Sequence, residues 1–184
     1  MTQLTFLNKK KTKEILSILD RQWGLKGLDK DYGDLLDYVF MTNTKDRIFI
    51  INRQISDINL EQLRMDSMGL YFGKFKEADG SSKKNESRKN KDKKKGKISR
   101  NEIRLTIEGS QIIGPLAAKN VIEISDGLMK LWIRGHDIEI NRKEKEDNMY
   151  VIVKNNDDFV GCGRLSGSKI FNHIPKSRRV MSED

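Results

Sequence analysis

From residue 169 the chain reads Lys-Ile-Phe-Asn-His-Ile-Pro-Lys-Ser-Arg-Arg-Val, so Lys169, Lys176, Arg178 and Arg179 are interleaved with Phe171, His173 and Pro175. With Arg164 they give residues 164–180 a net charge of +5 and no acid. Apolar residues at alternate positions can hold such a segment in a strand while Lys and Arg face out, and arginine adds bidentate phosphate contacts and stacking on bases. That pattern favours RNA contact over inert surface. A second basic zone lies near the middle of the chain. There Lys83, Lys84, Arg88, Lys89, Lys91, Lys93, Lys94, Lys95 and Lys97 stand against only Glu86 and Asp92, a net +7. The whole chain carries +9, so everything outside the two zones sums to −3. Two local patches, not a uniformly basic fold, hold the positive charge, which is the footprint of a surface that meets phosphates. For the middle zone taken alone, a solvated lysine run fits equally well.

Catalytic and metal chemistry find little footing. Cys162 is the single cysteine, which excludes a disulfide within this sequence, and His136 and His173 are the only histidines, so no Cys/His set can make a structural zinc site. Gly161 and Gly163 flank Cys162 inside a strand pattern, where glycine marks a bulge or the close approach of another backbone. With no His or second Cys beside it, Cys162 reads as a small buried residue and not as a nucleophile or redox group. No P-loop, metal-binding carboxylate cluster or Ser/His/Asp arrangement emerges. A lone cysteine fits a reducing compartment, the N-terminus has no cleavage-site pattern, and no stretch approaches the ~18 apolar residues of a membrane span. The expectation is a soluble, cytoplasmic protein without metal or cofactor.

The elements that would position these residues are legible from periodicity. Ile15, Leu16, Leu19 and Trp23 fall at helical spacing over residues 12–23, before Gly24 as a cap. Leu36, Tyr38 and Phe40 alternate, residues 42–46 read as a turn and 47–51 as a second strand, which together make a hairpin. Ser56 or Asp57 can cap a short helix through Met65, and residues 69–76 suit another strand. Residues 77–99 are dominated by Lys, Asn, Ser, Gly and Asp, which predicts a disordered loop. Strict alternation then predicts a strand over 102–108, paired with the strand before the loop, so the basic segment is an insertion at a hairpin tip. A short helical stretch follows near 110–117. Beyond it come a strand at 121–124 and a helix capped by Ser125 or Asp126, running to about Ile133 and ended by Gly135. Three further strands, at 149–154, 159–165 and 169–174, make a small, partly open barrel the natural reading.

Taken in order, Phe72-Gly-Lys-Phe75, Ile103-Arg-Leu-Thr106, Leu116-Ala117, Ile133-Arg-Gly-His-Asp-Ile138 and Phe159-Val-Gly-Cys-Gly-Arg164 resemble two groups of proteins. These are the two-domain Nip-type ribosome biogenesis proteins and the C-terminal part of the Nol1/Nop2/Sun type of ribosomal RNA cytosine methyltransferases. The resemblance spans the chain from about Leu36 onward and rests on the order and spacing of several short motifs. It implies an α+β chain in which a pre-PUA α/β domain with an antiparallel sheet, over residues 1–117, precedes a PUA pseudo-barrel over 118–184. It also implies RNA contacts on the basic PUA surface, where Arg164, Lys169, Lys176, Arg178 and Arg179 match, with Arg134 and His136 added beside Gly135. In Nip-type proteins the two strands flanking the insertion are joined by a few residues, so this chain departs from that pattern by about twenty. A methyltransferase would need a glycine-rich loop for S-adenosylmethionine and a Pro-Cys nucleophile, and neither is present.

These readings converge on a non-catalytic RNA-binding protein of ribosomal RNA maturation or ribosome biogenesis, whose N-terminal domain meets a protein partner. Two alternatives stand beside it. The chain could be the RNA-targeting subunit of a separate ribosomal RNA cytosine-5 methyltransferase, or a protein interaction adaptor whose lysine-rich loop only raises solubility.

Overall fold

The computed structural model describes residues 4–26, 35, 37–54, 69–76, 102–141 and 148–181. After strand β1 (Leu4–Phe6), the Asn8 side chain accepts a hydrogen bond from the Lys11 backbone N–H at 3.0 Å and starts helix α1 (Lys9–Trp23). Gly24 ends the helix in a left-handed conformation. The cap lies before the lysine-rich first turn, three residues earlier than apolar periodicity alone locates the helix. Strands β2 (Tyr38–Asn43), β3 (Arg47–Asn52), β4 (Leu70–Lys76) and β5 (Glu102–Leu105) join β1 in an antiparallel sheet with the order β1-β2-β3-β4-β5. β4 and β5 are direct partners, with Lys76 opposite Glu102, so the lysine-rich stretch joins two paired strands as the sequence implied. That stretch, with Lys83 to Lys97, and the helix expected at 56–65 lie outside the described residues.

Two expected strands end early. The alternation at 102–108 predicts strand throughout, yet Thr106 caps helix α2 (Ile107–Ile113). Its hydroxyl accepts from the Gly109 N–H and donates to the carbonyl of Tyr71, a local bond set that ends the strand three residues early. A 3-10 turn over Gly114–Leu116 follows. The strand expected at 169–174 likewise stops at Phe171, because Asn172 turns the chain. Its backbone N–H and side-chain amide donate to Asp137 Oδ1 and to the carbonyls of Trp132 and His136, while its Oδ1 accepts from the Ile174 N–H.

The second sheet contains β6 (Val121–Glu123), β7 (Ile138–Glu139), β8 (Met149–Asn155), β9 (Asp158–Ser166) and β10 (Lys169–Phe171), in the order β6-β8-β9-β10-β7. Only the β6–β8 pair is parallel. Helix α3 (Asp126–Ile133) packs on this sheet through Trp132, which is fully buried and donates its indole N–H to the carbonyl of Val160. Gly163 makes that packing possible. A Cβ there would stand 2.4 Å from Ile170 Cγ2 and 2.8 Å from Trp132 Cη2, so only glycine lets the indole lie on the strand. Gly161, with φ +129°, lies beside the register shift at Val153 and Lys154.

β8 is apolar on both faces because it serves two cores. Tyr150 and Ile152 join the core that α1 and the first sheet build around Leu16, Leu19, Trp23, Phe72 and Ile103, and Cys162 of β9 lies with them. Val151 and Val153 point the other way, to Trp132, Ile138, Leu165 and Ile170. This strict period of two down one strand ties the sheets into a shared interior.

Candidate nucleic-acid interface

The basic C-terminal segment is held at several points. Ile174 is buried, Lys176–Arg178 form a 3-10 turn, and the Val180 N–H donates to the carbonyl of Ile133 at the end of α3. Between these anchors the Arg179 side chain lies over Gly135. Its Nε donates to the Ile174 carbonyl at 3.1 Å, and a Cβ at Gly135 would come within 2.2 Å of that nitrogen. Gly135 also has φ +89°, so it serves both as the left-handed stop of α3 and as the floor beneath the arginine.

Beside this floor stand Arg134, His136 and, through Asp137, Lys169, and Lys176 and Arg178 lie on the adjoining 3-10 turn. Arg134 and His136, both exposed, flank Gly135. The next residue, Asp137, accepts from Lys169 Nζ at 3.2 Å, and Lys169 in turn lies 5.2 Å from the Phe171 ring centroid. The Asp137 carboxyl is held below its ordinary range first by the Asn172 N–H and then by Lys169. Lys176 is exposed on the 3-10 turn. Arg178 is ion-paired with Glu108 of α2, yet more than half of its side-chain surface stays open.

Arg164 is placed differently. Its side chain is only 11 % exposed. It pairs with Glu102 of β5 at 2.5 Å and lies 4.7 Å from the Tyr150 ring centroid, so it ties the two sheets together. Cys162 is buried, and burial pushes its thiol up to about 12, which keeps it protonated at neutral pH.

A neighbouring set of cations escaped the sequence reading. Lys74 and Lys76 of β4 and Arg104 of β5 alternate with the buried Phe75, Ile103 and Leu105. The available signal was that alternation, in which every polar position of the two short strands except Glu102 is basic. Arg104 also lines a cleft of about 340 Å³ with Tyr71, Leu105, His173, Ile174 and Arg178. Burial, then Arg104, Lys76 and Arg164, lowers the His173 imidazole to about 4, against a weaker opposing effect of Asp137. His173 is therefore neutral at physiological pH.

Among the described residues no group of His, Cys, Asp and Glu could hold a metal ion, and no helix is long and apolar enough to cross a membrane. The chemistry available is cationic and aromatic: phosphate pairing, stacking and hydrogen bonding. Residues 119–180, which run from just before β6 through the 3-10 turn to Val180, match the family described as the methyltransferase RsmF PUA domain. No curated protein matches the chain.

Proposed function

Starting from a chain whose residues 119–180 form a PUA domain similar to that of methyltransferase RsmF, we propose an RNA-binding protein that acts without catalysis in ribosomal RNA maturation. The observation that carries this reading is the fixed basic surface at the end of that domain. Arg134, His136, Lys169, Lys176, Arg178 and Arg179 stand there on a backbone anchored by Asn172, Ile174 and Gly135. Pre-positioned cations lose little entropy on meeting phosphates, which favours a structured RNA over a merely non-specific polyanion. The likeness to Nip-type and Nol1/Nop2/Sun-type proteins favours ribosomal RNA as the ligand and a ribosome-assembly factor as the partner. Lys83 to Lys97 add charge that raises the rate of encounter.

The test is equilibrium binding of a fluorescent ribosomal RNA hairpin to the parent chain and to a variant with Arg134→Glu and Lys176→Glu. Both residues are exposed, so reversal should leave the fold intact while affinity falls roughly tenfold or more. Equal affinity of parent and variant removes this surface from the account.

A second reading, in which the chain delivers RNA to a separate cytosine methyltransferase, is favoured by the type of PUA domain that matches. Co-purification with a methyltransferase polypeptide, together with a rise in its activity on the same RNA, supports that reading. Purification without such a polypeptide leaves the first.

A further inference from the structure

Residues that pair directly across antiparallel strands share a face. In the first sheet the pairs are Phe49 with Tyr71, Arg47 with Lys74, Lys74 with Arg104 and Lys76 with Glu102. They form a band across β3, β4 and β5, opposite the face where Ile48, Ile50, Phe72, Phe75 and Ile103 are buried. The band interleaves aromatic rings with cations. The Phe49 and Tyr71 rings are half-buried with centroids 5.3 Å apart, and the Arg47 guanidinium lies 5.5 Å from the Tyr71 centroid. Glu102 is the acid of the band, and Arg164 already engages its carboxylate.

So many like charges on one face repel each other, and the Lys76 ammonium responds. Burial first, then Arg104, Lys74 and Arg164, lowers its pKa. A polyanion laid on the face relieves that repulsion. Packing alone would be served equally well by uncharged residues at these half-exposed positions. At its β5 end the band opens into the cleft of about 340 Å³, whose walls include Tyr71 and Arg104 from the first sheet and His173, Ser177 and Arg178 from the C-terminal segment. The cleft therefore connects the band to the basic surface of the PUA domain.

We propose that single-stranded RNA leaving the PUA surface continues across this face of the first sheet, bases stacking on Tyr71 and Phe49, phosphates meeting Arg47, Lys74 and Arg104, and one unstacked base entering the cleft. The inference rests on the RNA-binding reading above and extends it to a defined class of ligand. Stacking platforms flanked by cations accept any base, so the contribution of this face is to strandedness, not sequence.

The test compares an oligouridine of about 12 nucleotides with an RNA hairpin on the intact chain. Arg47→Glu with Lys74→Glu should weaken oligouridine binding roughly tenfold or more and make the dependence of log affinity on log salt shallower by about 1.4, with a smaller loss for the hairpin. Tyr71→Leu keeps apolar bulk without a stacking face and should weaken oligouridine binding roughly fivefold with the salt slope unchanged. Because Tyr71 also packs locally, an oligouridine carrying 4-thiouridine is crosslinked to the parent as a second measurement. Crosslinks on peptides containing Phe49 or Tyr71 are expected. If the parent binds RNA and Lys176→Glu weakens it, but the sheet variants match the parent or crosslinks fall only within 169–181, this inference is overturned and the PUA reading stands. The same holds if the sheet variants lose affinity only for an acidic peptide. A parent that binds neither RNA overturns both.

Discussion

Arg164 and Glu102 meet with side chains only 11 % and 17 % exposed, one from each sheet. Removing one member leaves a largely desolvated charge without its partner, so Arg164→Gln should cost about 3 kcal/mol in urea denaturation. Arg164→Gln with Glu102→Gln together should cost less than Arg164→Gln alone. His173 makes a prediction of the opposite kind. Its folded-state pKa of about 4 lies below the ordinary 6.5, so above pH 6.5 both folded and unfolded forms are neutral and the residue contributes no pH dependence. As pH falls from 6.5 toward 4, the unfolded chain takes up a proton that the folded one refuses, and stability is lost across that window. His173→Gln should therefore show a flatter melting profile between pH 7 and pH 4 than the parent. Parallel profiles would show that the imidazole is not held neutral. At Gly163 an added methyl meets Ile170, Trp132 and the Phe171 carbonyl. Gly163→Ala should lower stability by about 1–3 kcal/mol and red-shift Trp emission as the indole is displaced from β9.

At the scale of elements, α2 is the hinge piece between the sheets, packed on both β4 and β9. Thr106→Ala removes its cap and the bond to the Tyr71 carbonyl, and should cost about 1–2 kcal/mol in a thermal or urea melt. What the sequence revealed and what it concealed also separates here. α1 was legible from its helical spacing, α3 from its caps, the β4–β5 pairing from the alternation in β5, and the β2–β3 hairpin and strands β8 and β9 from short apolar runs bounded by turn residues. The ends of β5 and β10 were not, because Thr106 and Asn172 keep the alternation going in sequence while their side chains bond the backbone into a new direction. β1 and β7, with three and two residues, are too short to carry a period, and they exist because an edge was available to pair with. The site shows the same division. The C-terminal cluster stood out as a run of consecutive residues. The band formed by Arg47, Lys74 and Arg104 comes from three strands whose alignment is set by register, including a shift at Ile48 and Phe49 that no single strand announces.

Over the whole molecule, the shared interior matters most. Tyr150, Ile152 and Cys162 of the second sheet are buried against the core of the first. A fragment beginning at residue 118 would expose them to water, so it should melt well below the intact chain or associate. Cooperative unfolding at the parent's temperature would contradict that picture. The same union lays the PUA surface and the cationic face of the first sheet beside one cleft, which is why the protein is read as a single RNA-binding body with two contributing surfaces. The most direct test of that claim is the affinity of the intact chain for a ribosomal RNA fragment across a series of salt concentrations. The expected result is a linear fall of log affinity with log salt, made shallower by about 0.7 to 0.9 for each phosphate contact removed when Lys176 or Lys74 is reversed to Glu. Absence of binding at low salt, or a slope that neither reversal changes, would contradict it.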